Sequence, residues 1–181
     1  MFDYQKFEDD LVIAMEDRLR KWAKEYNDIY ILSLDCARDM TSVGIFANTE
    51  RYLTEQTDTD SEDYWYYKYC EEEWDLCDAG GRIGEISSYM NQYTEENDDR
   101  FTDPETFEFS EAFDRHCDQM IETCKKAIKR LKQVVSADFP DLLFTFNIRE
   151  YSDSEERTEF FAMVNGRDAS EEYAEHIDDF N

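Results

Sequence analysis

Most residues in this chain with the means to do chemistry are carboxylates, 46 Asp and Glu among 181 residues. Asp58-Thr59-Asp60-Ser61-Glu62 sets oxygen ligands at alternate positions, as a calcium loop does. Such a loop needs Gly at its sixth place and Glu at its twelfth. Here those places hold Asp63 and Tyr69, and no calcium site is expected. Gly80-Gly81-Arg82-Ile83-Gly84 has the glycines of a phosphate-binding turn but lacks the Lys-Ser/Thr pair that would reach the phosphates. A turn opening a helix is the simpler account. His116 and Cys117 are adjacent on a predicted helix, about 100° apart around its axis, so they do not converge as a nucleophile and its base must. Paired carboxylates ordinarily mark acid–base chemistry. With so many in one chain, pairs fall at every spacing by chance. No catalytic residue, cofactor or metal ligand is assigned, and no enzyme is expected.

Charge is the stronger signal. Against the acids stand 19 Lys and Arg, for a formal charge of −27. Phosphate contacts need clustered cations, so direct nucleic-acid binding is nearly excluded, and docking on an anionic membrane is disfavoured. The charge is uneven: Glu55 to Asp118 holds 21 acidic and 4 basic residues. The same segment is aromatic, with Tyr64-Trp65-Tyr66-Tyr67-Lys68-Tyr69 and Trp74. Aromatic side chains supply rigid contact area at interfaces, and carboxylates steer a basic partner.

These side chains must be positioned by a fold. Aromatics at 15% and hydrophobics at 41% speak for a packed core rather than an acidic disordered tail. The length suits one domain over 1–181. Residues 3–26 carry an amphipathic helical pattern, with Phe7, Leu11, Met15, Leu19 and Trp22 in register. Ile29 to Leu34 and Thr41 to Ala47 read as two strands of a hairpin. After the acidic middle, Ile83 to Tyr93 reads as a helix and Thr94 to Pro104 as a polar loop. A long helix is predicted from about Thr106 to Val135, with acids in its early turns and Lys125, Lys126, Lys129, Arg130 and Lys132 late, as the helix dipole favours. That basic run reads as a solvated face. Leu142 to Arg149 and Glu159 to Asn165 read as a second strand pair around a polar loop at Tyr151 to Arg157, followed by a terminal helix at Ala169 to Ile177. The expected class is α+β: a mainly antiparallel sheet of about four or more strands, with the N-terminal and long central helices packed on it. Five cysteines without CxxC spacing read as buried, reduced thiols of a cytoplasmic protein. The N-terminus lacks the pattern of a secretory signal, and no apolar run approaches the roughly 20 residues of a membrane span.

Several segments together resemble a bacterial family catalogued as a domain of unknown function (number four thousand three hundred and three). They are Asp28 to Leu34, Thr41-Ser42-Val43-Gly44, Ala47-Asn48-Thr49-Glu50, and Tyr66-Tyr67-Lys68-Tyr69-Cys70-Glu71-Glu72-Glu73-Trp74, where members carry an aromatic stretch ending in Glu-Trp. The resemblance brings no catalytic residues. It implies a neighbour of polymorphic toxins, where small acidic proteins commonly act as immunity proteins.

The expectation is therefore an immunity protein that masks the active site of a cognate, basic toxin domain, of nuclease or ADP-ribosyltransferase type, as a monomer in a 1:1 complex. The alternative is a DNA mimic that occupies a DNA-binding protein. Partner contacts are expected at Asp58, Asp60, Glu62, Asp63, Tyr64, Glu71, Glu72, Glu73, Glu95, Glu96, Asp98 and Asp99.

Overall fold

The computed structural model describes residues 1–148 and 154–179. Asp3 opens the first helix, α1 (Tyr4–Trp22), its carboxylate accepting from the Lys6 amide at 3.0 Å. That bond satisfies one of the donors left free at a helix start. The predicted stripe, Phe7 to Trp22, is the buried face. The chain then enters β1 (Ile29–Cys36), buried on both sides, and returns antiparallel as β2 (Val43–Thr49) with Leu34 opposite Ile45. This hairpin matches the expectation.

Thr49 closes β2 and caps α2 (Glu50–Gln56), accepting from the Tyr52 amide at 3.1 Å. The short aromatic helix α3 (Tyr64–Tyr69) follows, then a single 3-10 turn over Glu71–Glu73. A strand of three residues, β3 (Leu76–Asp78), pairs antiparallel with β2, placing Cys77 opposite Phe46. Next come α4 (Gly81–Glu96), α5 (Asp98–Phe101) and the long α6 (Glu111–Val135), capped by the Ser110 hydroxyl. The predicted polar loop at Thr94 to Pro104 is thus largely the end of α4 and all of α5. The long helix starts five residues later than its pattern implied.

β4 (Leu143–Ile148) pairs parallel with β1, giving the order β3-β2-β1-β4. The sheet is mainly antiparallel with one parallel pair, and the class is α+β as expected. The second predicted hairpin is absent. Residues 159–165 belong to a helix, α7 (Ser154–Asn165), followed by α8 (Arg167–His176). The predicted loop at Tyr151 to Arg157 is helical from Ser154, and its earlier part lies outside the described residues.

A short apolar run does not by itself distinguish strand from helix. Here the run sits beside the sheet edge, where one helix reaches both layers. Phe160 packs toward Phe146, with ring centres 6.1 Å apart, while Phe161 stacks on Tyr173 at 4.0 Å on the other side. Asn165 ends α7 by accepting from the Phe144 amide at 2.9 Å and donating to its carbonyl at 2.7 Å. Its side-chain amide supplies β4 with the pair of bonds a neighbouring strand would have made. That occupies an edge otherwise open to another chain.

Two apolar layers flank the sheet. One holds α1, α4 and α6 against Leu32, Leu34, Ile45, Phe144 and Phe146. The other gathers Tyr30, Ile31, Leu53, Tyr69, Trp74, Phe161 and Tyr173. Arg130 of α6 binds Glu8 and Asp9 of α1, so one residue of the basic run has a partner in its own layer. Among the described residues no helix is long and apolar enough to cross a membrane.

Candidate functional site

The acidic middle segment divides between the two layers. Asp58, Asp60, Glu62 and Asp63 stand exposed on the loop from α2 to α3. The loop is a succession of turns, with the Ser61 amide donating to the Asp58 carbonyl and Tyr64 to that of Ser61. Tyr64 is half-buried at the head of α3, edge-on to Trp65.

The aromatic helix is held from below. Tyr30 donates to the Lys68 carbonyl at 2.8 Å, and Asn48 donates to the Tyr67 carbonyl at 3.2 Å. Tyr69 is the ring driven into the core. Lys68 lies 5.0 to 5.5 Å from the centres of Tyr64, Trp65 and Tyr69 and pairs with Glu172 at 2.6 Å. Burial would raise the Glu172 carboxyl, but the hydrogen bonds from Lys68 and Tyr69 hold it below its usual value. The only lysine of the acidic segment is engaged internally and neutralises none of the exposed acids nearby.

The three glutamates of the 3-10 turn have different environments, because successive side chains on such a turn point roughly 120° apart. Glu72 faces solvent. Glu73 accepts from the Tyr66 hydroxyl at 2.9 Å. Glu71 turns inward and is 4% exposed. There it meets Arg157 of α7, whose Nη2 lies 3.2 and 3.3 Å from its two carboxylate oxygens, and it accepts from the Ser33 hydroxyl of β1 at 3.2 Å. Burial pushes the Glu71 carboxyl upward, and the Arg157 guanidinium opposes that shift. Glu71 is thus not a partner contact, contrary to expectation; it ties α3 and α7 to the sheet. Arg157 went unrecognised because its sequence neighbourhood is polar. Its one signal is position, three residues before Phe160-Phe161.

Glu95 and Glu96 end α4, and Asp98 and Asp99 begin α5; all four are exposed. Asn91 and Gln92 donate to Glu95 and Glu96 one turn on, and Thr102 donates to Asp98 at 3.0 Å. Two glutamates with no basic residue in the last turn of α4 oppose the helix dipole. The i,i+4 bonds from Asn91 and Gln92 offset that cost in part.

The predicted contacts therefore form two separate groups. Asn48 fixes α3 near the end of the sheet where β2 finishes, whereas Ser87 of α4 bonds Val43, where β2 begins. The groups occupy opposite layers and opposite ends. Within both, Asp58, Asp60, Glu62, Asp63, Glu72, Glu95, Glu96, Asp98 and Asp99 form no ion pair among the described residues. Such a surface offers only acceptors and takes ammonium or guanidinium groups. No three His, Cys, Asp or Glu side chains converge on a possible metal position among the described residues.

His116 is buried, with Nδ1 2.7 Å from the Tyr4 hydroxyl, and burial followed by Arg100 pulls its pKa down to about 4. It sits within Phe2, Tyr93 and Phe101 as part of the core. All five cysteines are free thiols. Four are buried as expected, but Cys77 is exposed on the edge strand β3.

Residues 9–166 match the family described as "Domain of unknown function (DUF4303)". The chain belongs to that family. No curated protein and no solved structure matches it. The segments that carried the family resemblance have evident structural duties. Asp28 accepts from the Arg51 amide, Asn48 and Thr49 organise the turn into α2, and the stretch from Tyr66 to Trp74 forms α3 and the turn bearing Glu71.

Proposed function

We propose that this member of the DUF4303 family is an immunity-type binding module, which neutralises a cognate antibacterial toxin domain by seating acidic surface in that domain's basic active site. One observation carries the reading: nine of the twelve predicted contact residues are exposed acids without a counter-ion among the described residues. Self-repulsion of this size works against the compact state, and a basic partner would relieve it. The aromatic and ion-paired groups beneath hold the acidic loops in place, which lowers the ordering cost of association. The toxin assignment itself rests on the family resemblance.

The test is co-expression of the chain with the polypeptide encoded by the adjoining reading frame, followed by purification at low and high salt and a growth assay. A single basic polypeptide retained at high salt, with growth restored, is the expected result. If nothing is retained, or the purified chain alone turns over a substrate, the proposal fails. Many DNA-binding proteins released by modest salt would favour mimicry of DNA instead.

A further inference from the structure

The loop joining α5 to α6, residues 102–110, bears an exposed aromatic that the fold does not use. Phe107 is 82% exposed and Phe109 52%. Phe109 is anchored by stacking on Phe113 at 4.0 Å, while Phe107 stands at the turn with φ of 59°. A β-carbon in that left-handed region is unfavourable, and glycine is the usual occupant.

The loop is firmly built. Thr102 and Phe109 form an antiparallel bridge, and the Asp103 amide donates to the Glu108 carbonyl at 2.9 Å. The Phe107 amide donates to the Asp103 carbonyl at 2.8 Å, while the Asp103 carboxylate accepts from the amides of Glu105 and Thr106 at 2.8 and 3.0 Å. These bonds also hold the Asp103 carboxyl below its ordinary range. Ser110 fastens the loop's end by bonding the Arg100 and Phe101 carbonyls.

The segment that carries this ring is predominantly negative. From Glu95 to Asp118 there are ten acidic and two basic residues. Arg115 pairs with Glu111, and the Arg100 guanidinium lies 6.0 Å from the centre of Phe101. A large apolar group in a preorganised setting, bordered by carboxylates, has the anatomy of an interface centre with its polar rim. The charge selects the occupant, since lysines and arginines around an apolar pocket complement it, whereas a second copy of this face or an anionic membrane is repelled.

We infer that Phe107 is the apolar anchor of a docking surface formed by α5, the 102–110 loop and the start of α6, and that it inserts into a pocket bordered by basic residues on a protein partner. The inference rests on the binding function proposed above and locates it on the layer of α4 to α6 rather than on α3. Phe107 is absent from the contacts expected from sequence, where it falls at the predicted start of a long helix.

The experiment titrates the purified chain, wild type and Phe107→Gly, against the basic polypeptide retained by the co-expression test. Glycine suits the backbone at this position, so the variant is expected to keep the wild-type melting temperature. Affinity is expected to fall about 30-fold, the loss typical of an interface hot spot, mainly through faster dissociation. Hydroxyl-radical labelling of Phe107 in the wild-type chain is expected to drop on complex formation, independently of any substitution. Equal affinities with unchanged labelling would overturn the anchor and leave the binding function standing. Failure of the wild-type chain to bind would overturn the function and the anchor with it. Self-association abolished by Phe107→Gly would show the ring contacting a second copy, against the inference.

Discussion

Glu71 and Glu72 are neighbours in sequence and opposites in energetics. Glu71 is enclosed with Arg157 and Ser33, so truncating it removes a buried carboxylate that faces a buried guanidinium. Glu71→Ala is expected to cost about 3–5 kcal/mol in denaturant unfolding, and Glu72→Ala less than about 0.5 kcal/mol. Equal costs would refute the distinction. His116 makes a second residue-scale prediction. Its folded pKa of about 4 lies below the unfolded value of about 6.5. Its contribution is therefore complete above pH 6.5 and lost as pH falls through that window, amounting to at most about 3 kcal/mol. Measured as the difference between wild type and His116→Phe, stability should decline from pH 6.5 to 4; a flat difference would contradict the buried neutral imidazole. Neither role was legible in the sequence. Glu71 is one of 46 carboxylates and meets an arginine 86 positions away, a contact no local pattern encodes.

At the scale of elements, sequence was informative where one period ran long enough. The stripe from Phe113 to Val135 could only be a buried helix face, and Ile29 to Leu34 followed by a short turn and Thr41 to Ala47 specified the hairpin. It misled where a run was short. Phe160-Phe161 reads as strand until the edge of β4 offers both layers to one helix, and three residues are too few to announce β3. The bonding of Asn165 to Phe144 makes that edge testable. Asn165→Ala is expected to cost about 1–3 kcal/mol, because it frees a backbone amide and carbonyl, and to increase aggregation on partial unfolding. An unchanged denaturation midpoint would refute the capping role. The end of α4 gives the opposite sign. Glu95→Lys and Glu96→Lys should each stabilise the chain by about 0.3–1 kcal/mol by complementing the dipole, while weakening the partner complex. Loss of stability in both variants would refute the reading of these acids as placed for binding.

The whole molecule combines an ordinary two-layered core with a surface of exceptional charge. The sequence made the class of fold and the sign of the surface readable, because both follow from composition and periodicity. It did not show that the acids would fall into two groups on opposite layers, since that depends on α3 and α4 packing on different sides of the sheet. The 102–110 loop was hidden for a different reason, since the long helix was expected to start near Thr106 and would have absorbed Phe107 into its first turn, whereas it begins at Glu111. A partner captured through this surface should associate quickly at low salt and more slowly as salt rises. The most direct measurement is the association rate and affinity of the co-expressed basic polypeptide for three chains: wild type, the fourfold reversal of Asp58, Asp60, Glu62 and Asp63 to Lys, and the fourfold reversal of Glu95, Glu96, Asp98 and Asp99 to Lys. Slowed association and weakened binding in at least the second reversal, with the fold intact, is the predicted result. Wild-type rates and affinities in both reversals would contradict the acidic surface as the binding face.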